Sequence, residues 1–209
     1  MALILRPEYA DEEGLVAIGG DLRPETLLRA YRNGIFPWFN EGEPILWWSP
    51  DPRAIFELDQ FYISRRLART IRSEKFRVTL DRAFHAVMLG CAERRPTWIT
   101  SDMIEAYTRL YELGHAHSVE AWEGEQLVGG VYGVGMGGFF AGESMFHRVT
   151  DASKVALAYL IEYLRIRGFK LFDTQVATEH TLSLGAIHVT RKEYLARLKT
   201  ALDTPVSFL

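Results

Sequence analysis

Cysteine is almost missing from this chain of 209 residues, in which Cys91 is the only one. A single cysteine excludes an internal disulfide and fits a reducing compartment. Long apolar runs are missing too. The apolar stretch after Met1 is too short for a signal peptide, and no stretch approaches the roughly 20 residues that cross a membrane. We therefore expect a soluble, cytoplasmic protein that makes no contact with a membrane.

The chain also lacks an excess of positive charge, with 24 Lys and Arg against 27 Asp and Glu. Binding to nucleic acid would therefore need a local basic patch. Residues 62–77 are a candidate, because they hold six basic residues and one acidic residue. Ser64 can cap a helix there that carries Arg65, Arg69 and Arg72 along one face. A charged stripe on a helix is usually only a solvent-exposed face. Here basic residues outnumber acidic ones within a chain that is acidic overall, and this favours phosphate binding.

Motifs for metal and nucleotide chemistry are missing as well. His115 and His117 are not at ligand spacing with cysteines or carboxylates, so we expect no metal site. The chain has no Walker loop, no Gly-x-Ser-x-Gly elbow and no Cys/His pair. Residues 133–138 match the G-x-G-x-x-G string of dinucleotide sites, but a strand rather than a helix is predicted to follow. This string therefore favours a hairpin turn.

Residues 1–60 are rich in proline, glycine and aromatic side chains, and we expect them to form a small separate αβ unit. A helix is predicted to begin at Pro24, which suits a first-turn position, and to stop at Asn33 and Gly34. The remainder is predicted to be turns and short strands, with Trp47 and Trp48 in a local core. Residues 61–209 then form the second unit.

The second unit has a clear order of elements. Its hydrophobic spacing predicts a strand, a helix capped by Asp81, a second helix, three strands, a third helix, a strand, a short helix, a strand and a last helix over residues 191–202. This order resembles the Gcn5-related N-acyltransferase (GNAT) fold, which moves acyl groups onto amines. We therefore expect an α+β chain in which a GNAT-like domain with a central mixed sheet follows the small N-terminal unit. Fold resemblance alone does not decide function.

Acetyltransferases of this fold that use coenzyme A carry a glycine-rich loop before the helix that follows the three strands. Residues 148–153 occupy that place here, and Asp151 stands where a glycine would let phosphate approach the backbone. Its charge would repel a pyrophosphate. The donor is therefore not expected to be coenzyme A, and we expect no cofactor.

A strand over residues 170–176 is where we place the chemistry. Alternation along a strand predicts that Asp173 and Gln175 share one face, roughly 6–7 Å apart. Buried carboxylate and amide groups are costly unless they are hydrogen-bonded. From these residues alone, the simpler interpretation is that both side chains satisfy loop backbone at the end of the strand.

Seven strings in the chain resemble leucyl/phenylalanyl-tRNA–protein transferases, in the same order and over nearly the whole length. They are Gly-Ile-Phe-Pro-Trp-Phe (34–39), Trp-Trp-Ser-Pro-Asp-Pro-Arg (47–53), Thr-Trp-Ile-Thr (97–100), Gly-Glu-Ser-Met-Phe (142–146), Ala-Ser-Lys-x-Ala-Leu (152–157), Asp-x-Gln-Val (173–176) and His-Thr-x-Ser-Leu-Gly-Ala (180–186). The resemblance implies transfer of leucine or phenylalanine, and less well methionine, from aminoacyl-tRNA to an N-terminal Arg or Lys of a protein. The product is marked for N-degron degradation.

The implied reaction is ester aminolysis by a monomer, without ATP or metal, because the tRNA ester is already activated. The resemblance makes Asp173 and Gln175 the catalytic pair, with Asp173 polarising Gln175, which receives the attacking amine. Because a neutral amide is a very weak base, we expect Gln175 mainly to orient the amine, and Asp173 or a ribose hydroxyl to relay protons. It places Trp38 and Trp98 on the terminal adenosine, Glu143 at the acceptor peptide, and the arginines at 65, 69 and 72 on the tRNA acceptor stem.

An apolar pocket for the donor amino acid is expected to contain Val131, Phe140, Leu157, Leu160 and Phe172, although each would serve equally well as core. The sequence departs from the family at Thr178, where a relative has Asn, and its end after Asp203 is shorter than expected. Two alternatives stay open: another acyltransferase of the same fold, and a tRNA-binding module without activity.

Overall fold

A seven-stranded mixed sheet organises the structure, a computed structural model that describes residues 5–94 and 97–209. The strands are β1 (Leu15–Ile18), β2 (Phe36–Pro37), β3 (Leu46–Trp48), β4 (Arg53–Phe56), β5 (Arg77–Leu80), β6 (Ala116–Glu123), β7 (Gln126–Met136), β8 (Phe139–His147), β9 (Leu171–Gln175) and β10 (Ile187–Val189). The large sheet has the order β10-β4-β9-β8-β7-β6-β5, and β1, β3 and β2 form a separate three-stranded sheet. In the large sheet β8 and β9 are parallel, and the other neighbours are antiparallel.

Helices cover both faces of the large sheet. They are α1 (Pro24–Arg32), α2 (Arg65–Arg72), α3 (Phe84–Ala92), α4 (Ser101–Glu112), α5 (Ala152–Arg167), α6 (Glu179–Ser183) and α7 (Arg191–Leu202). One core cluster joins the sheet to α1, α3, α4 and α7, and a second joins it to α2 and α5. No helix of the described residues is long and apolar enough to cross a membrane.

The sequence predicts two helix caps, and the structure confirms one of them. Ser64 Oγ accepts a hydrogen bond from Leu67 N, so the predicted cap of α2 is confirmed. The predicted cap by Asp81 is wrong. Its carboxylate instead accepts Ser118 N at 2.7 Å and pairs with His117 Nδ1 at 2.7 Å. The backbone amides before α3 point to the buried Glu120, which lies on neighbouring strand β6.

A mixed α/β architecture with a central mixed sheet is confirmed, whereas the likeness to the GNAT fold stays a prediction. Trp47 is fully buried and donates its indole N–H to Gly19 O at 2.8 Å, so its predicted core role is confirmed. The boundary between units at residue 60 also stays a prediction. Strand β4 lies before that boundary, yet it pairs with β9 and β10 in the large sheet.

The parallel strands β8 and β9 pair over only part of their length, and their separation opens a cleft between them. Pairing between β8 and β9 ends at Ala141 and Asp173, after which β8 continues to His147 paired only with β7. The predicted hairpin between β7 and β8 is confirmed at Gly137, whose φ of +53° suits glycine. The gap beyond Ala141 leaves backbone and side chains of both strands facing a common space.

Candidate active site

A cleft of about 770 Å³ opens where β8 and β9 separate, a size typical of small-ligand sites. Its walls come from both strands, from α3, α5 and α6, and from the N-terminal residues before β3. The cleft collects seven of the residues that the sequence marked for function: Trp38, Trp98, Val131, Glu143, Leu157, Phe172 and Gln175.

A β-bulge places Glu143 in this cleft. Gly142 is opposite Gly133 and Ser144 is opposite Tyr132, so Glu143 is the extra residue of β8. A Cβ at Gly133 would lie 2.1 Å from Ala141 O, so this close pairing requires glycine. Bulges redirect side chains, and they are common beside active sites.

A second bulge corrects the expected geometry of β9. Asp173 is opposite Ile55 and Gln175 is opposite Ala54, so Thr174 is the extra residue. The regular alternation of side chains is interrupted there, and the prediction that Asp173 and Gln175 share one face is wrong. Gln175, with a φ of +56°, lines the cleft, whereas Asp173 is buried behind it.

Asp173 is bound by three groups instead of facing the cleft. Arg53 Nε donates to Asp173 Oδ1 at 2.9 Å and Arg53 Nη2 to Oδ2 at 2.6 Å, a bidentate pair that is almost completely buried. Tyr194 donates its hydroxyl to Oδ2 at 2.8 Å. The carboxylate also accepts the backbone N–H of Gln175 at 2.9 Å. Asp173 therefore holds the backbone that carries Gln175.

Arg53 is a site residue that reasoning from the sequence missed. Its Nη1 donates to Gly34 O at 3.0 Å, and its guanidinium lies 4.8 Å from the centre of the Phe36 ring and 4.4 Å from that of Tyr194. Burial alone would lower the pKa of Arg53, but Asp173 beside it raises that pKa above its usual range. Arg53 closes one quoted string, and that position was the available signal, whereas its contacts with residues of two other strings are visible only in the structure.

Glu143 is the carboxylate that the cleft offers to a ligand beside Gln175. Its Oε1 accepts Gln175 Nε2 at 3.0 Å, and Tyr107 donates its hydroxyl towards Oε2 at 3.5 Å. The hydroxyl of Tyr107 lies 2.5 Å from that of Tyr31. Burial raises the pKa of Glu143 to about 8, the Tyr31 hydroxyl opposes that rise, and the charge of Asp173 adds to it. A carboxyl with such a pKa can take up or release a proton near neutral pH.

The two predicted stacking aromatics both reach the cleft. Trp38 is 46% exposed, and its backbone oxygen accepts the indole N–H of Trp48 at 2.7 Å. The rings of Trp38 and Trp48 are 6.3 Å apart, so Trp48 supports the exposed ring. Trp98 lines the cleft from the segment before α4 while part of it packs on the core. Both indoles can offer an apolar face to a ligand.

Of the five residues predicted to form the amino-acid pocket, three line the cleft and two lie behind its wall. Val131, Leu157 and Phe172 line the cleft. Phe140 and Leu160 are not part of its wall, and both are almost completely buried. The ring of Phe140 lies 5.7 Å from that of Phe172 and so supports the wall from behind.

The predicted basic face of α2 is solvent-exposed. Arg65, Arg69 and Arg72 are all exposed, and none forms a salt bridge with another described residue. Arg66 on the same helix pairs with Asp151 at 3.2 Å. The stripe therefore presents three positive charges to solvent.

Two further predictions concern metal binding and Thr178. Within residues 5–94 and 97–209, no group of three or more His, Cys, Asp or Glu could hold a metal ion.

Thr178 lines the cleft and also caps α6. Its hydroxyl accepts a hydrogen bond from Thr181 N at 3.1 Å, while Thr181 Oγ1 accepts one from Thr178 N at 2.9 Å. Its oxygen thus already has a local partner.

Comparison with known proteins decides the family. The model "Leucyl/phenylalanyl-tRNA protein transferase" matches residues 55–199, and the model of the N-terminal domain of the same transferase matches residues 20–51. The chain belongs to the leucyl/phenylalanyl-tRNA–protein transferase family. Relatives of that name include one from Anaeromyxobacter sp. (strain Fw109-5), 55% identical over 95% of this chain and 87% of its own length. Another, from Shewanella sp. (strain W3-18-1), is 54% identical over 96% and 87%.

One solved structure shows a distant resemblance to this family member. The structure of L-PGS from Bacillus licheniformis matches with a TM-score of 0.43 and 16% identity, covering 77% of this chain and 55% of that one. We draw no functional conclusion from so low a similarity.

Proposed function

We propose that the protein transfers leucine or phenylalanine, and less well methionine, from aminoacyl-tRNA to the N-terminal Arg or Lys of an acceptor protein. The observation that carries the proposal is the Glu143–Gln175 pair at the wall of an apolar cleft that two indoles also line. The transfer marks the acceptor for degradation as an N-degron. The protein acts as a monomer in the cytoplasm.

The donor lies along the cleft. Trp38 and Trp98 stack on its terminal adenosine, an interaction worth about 1–3 kcal/mol per base. Val131, Leu157 and Phe172 enclose the donor side chain and offer no partner to a polar one. An apolar wall explains why leucine and phenylalanine, which differ in shape, are both accepted.

The acceptor amine lies at Glu143 and Gln175. Its lone pair attacks the ester carbonyl carbon, and Glu143 takes the proton that the nitrogen loses. When the tetrahedral intermediate collapses, the C–O bond to the ribose breaks and the same proton passes to the leaving 3′ oxygen. After attack the nitrogen is cationic and more acidic than a free α-ammonium group, whose pKa is about 7.7–8.0, so Glu143, whose burial raises its pKa to about 8, can accept its proton.

Gln175 and Asp173 have different tasks in this scheme. Gln175 orients the amine, since a neutral amide is too weak a base to accept its proton. Asp173 lies outside the cleft in a buried ion pair, so it positions Gln175 rather than relaying protons. In its ionised form Glu143 also attracts the cationic acceptor.

The direct test is transfer of radiolabelled phenylalanine from Phe-tRNA to a peptide that begins with Arg, with acetyl-coenzyme A as the competing donor. We expect a labelled peptide with Phe-tRNA and no acetylated peptide. Acetylation would favour another acyltransferase of the same fold. Binding of tRNA without any transfer would favour a non-catalytic module.

The exposed arginines of α2 should contribute tRNA affinity. We expect Arg65, Arg69 and Arg72, all changed to Ala, to weaken binding whatever amino acid the tRNA carries. If each contacts one phosphate, the slope of log affinity against log salt falls by about one unit per residue. Filter binding at several salt concentrations measures that slope.

A charge-matched variant serves as the control. Arg29, Lys192 and Lys199 are exposed on α1 and α7, which cover the opposite face of the sheet from α2. Changing these three to Ala removes the same charge but should leave the slope unchanged. Equal losses of tRNA affinity in both triple variants would show that the α2 arginines act only through the net charge of the protein.

Donor preference should depend on the wall of the pocket. Leu157→Ala enlarges the space, so we expect transfer to shift towards bulkier donors such as Trp-tRNA relative to Leu-tRNA. Leu160→Ala is the matched control: it lies on the same helix but behind the wall. Both variants should lose about 2–5 kcal/mol of stability, yet only Leu157→Ala should change the ranking. An identical ranking in both would place the donor side chain elsewhere.

A further inference from the structure

The first turn of α5 lies between the basic face of α2 and the cleft. Arg66 Nε donates to Asp151 Oδ2 at 3.2 Å and Thr70 Oγ1 to the same atom at 3.4 Å, so α2 packs directly beside the residue that precedes α5. Ser153, two residues later, lines the cleft. A nucleotide strand that leaves the α2 arginines and enters the cleft therefore passes this turn.

A side-chain hydroxyl of this turn reaches the cleft without a protein partner in the described part of the chain. Ser153 is only 3% exposed as a residue, but its Oγ is not among the fully buried unpaired polar atoms of the described residues, and Ser153 lines the cleft. A Cβ at Gly129 would lie 2.6 Å from Ala152 Cβ and 2.9 Å from Ser153 N. Because glycine has no side chain there, the start of α5 packs directly against the backbone of β7. This packing holds the Ser153 side chain in the cleft wall. A hydroxyl that reaches a cleft and has no protein partner is free to donate a hydrogen bond to a ligand there.

Lys154 supplies a positive charge beside this turn. The first turn of α5 contains no acidic residue, and Lys154 adds a cation to the positive end of the helix dipole, where anions are preferred. His147 and His180 line the adjoining cleft. Lys154 and His147 lie close enough to His180 to lower its pKa further, after the larger effect of burial. Asp151, the acid before the turn, is engaged by Arg66 and Thr70.

We propose that the first turn of α5 binds a phosphodiester of the donor strand, held by the Ser153 hydroxyl and the Lys154 ammonium. The inference rests on the aminoacyl-tRNA donor proposed above. A diester carries one negative charge and needs only one or two donors, unlike the pyrophosphate that Asp151 was expected to repel. The terminal phosphate would fix the strand between the α2 arginines and the stacked adenosine.

Two minimal donors isolate this contact. One is phenylalanyl-adenosine, which has no phosphate, and the other is the same compound carrying a 5′-methyl phosphate, which adds a diester but no base. We expect the wild-type KM to be about tenfold lower for the phosphate-bearing donor, the size of one charge-assisted hydrogen bond. Ser153→Ala and Lys154→Ala should each move the ratio of the two KM values towards one.

Matched variants separate this contact from general charge and from folding. Lys154→Arg keeps a cation and should keep most of the ratio, and Lys199→Ala on α7 removes an equal charge elsewhere. Equal KM values for both donors in the wild type would overturn the proposal, as would a ratio that survives in both Ser153→Ala and Lys154→Ala. Failure of wild-type transfer from intact Phe-tRNA would instead overturn the proposed function.

Discussion

Asp173→Ala should unfold the protein more easily and cut transfer by about 100-fold in the molecules that remain folded. The variant leaves the buried Arg53 guanidinium without its bidentate partner. Removing one partner of a buried pair typically costs about 3–5 kcal/mol. Gln175 also loses the acceptor of its backbone N–H, and a misplacement of about 1 Å at a reacting group can cost about 100-fold. Thermal unfolding and kcat measured on the folded fraction test both parts.

A double variant separates the ion pair from the active site. Arg53→Met with Asp173→Leu replaces both charges by apolar groups, and we expect it to recover most of the stability lost by Asp173→Ala. Transfer should stay low, because neither variant holds Gln175 in place. Recovery of transfer along with stability would show that Asp173 acts only on folding. Normal stability in Asp173→Ala would contradict the buried pair.

Glu143→Gln should lower kcat by about 100- to 10,000-fold, the usual contribution of a group that moves a proton in the transition state. The amide keeps the size of the side chain but cannot accept the proton of the amine. In the wild type, kcat should rise with pH as Glu143, whose pKa burial raises to about 8, loses its proton. The variant should lack that rise. Rate profiles with an Arg-starting peptide test the prediction.

The same substitution should change the pH dependence of stability. Glu143 has a pKa of about 8 when folded and an ordinary value of 4.5 when unfolded. Its favourable contribution is therefore complete below pH 4.5 and is lost as the pH rises through about 8. In Glu143→Gln the free energy of unfolding should fall less over that range.

Glu93→Gln is the matched control for Glu143, because Glu93 lines the same cleft but pairs with Arg148 at the surface. We expect kcat and its pH profile to stay close to wild type. Similar losses in Glu93→Gln and Glu143→Gln would point to the overall charge of the cleft. A wild-type profile in Glu143→Gln would remove Glu143 from the proton path.

Local patterns in the sequence determined much of the framework. The cap at Ser64, proline in a first turn and glycine at turns act within a few residues, so they predicted the start of α2 and the bounds of α1, and hydrophobic spacing predicted α7 over residues 191–202. The quoted strings determined the family, because seven matches in order rarely arise by chance. The basic face of α2 could also be predicted from the sequence, since helical spacing alone aligns its arginines.

The tertiary structure decided which side chains meet in the cleft. Arg53 and Asp173 are 120 residues apart, and only the pairing of β4 with β9 brings them together. The bulges at Glu143 and Thr174 depend on the register of neighbouring strands, so simple alternation wrongly predicted that Asp173 and Gln175 share one face, whereas Asp173 lies behind the cleft that Gln175 lines. Leu157 and Leu160 are the same residue type on one helix, and the sequence does not distinguish them. Only the packing of α5 against the sheet places Leu157 in the cleft wall and Leu160 in the core.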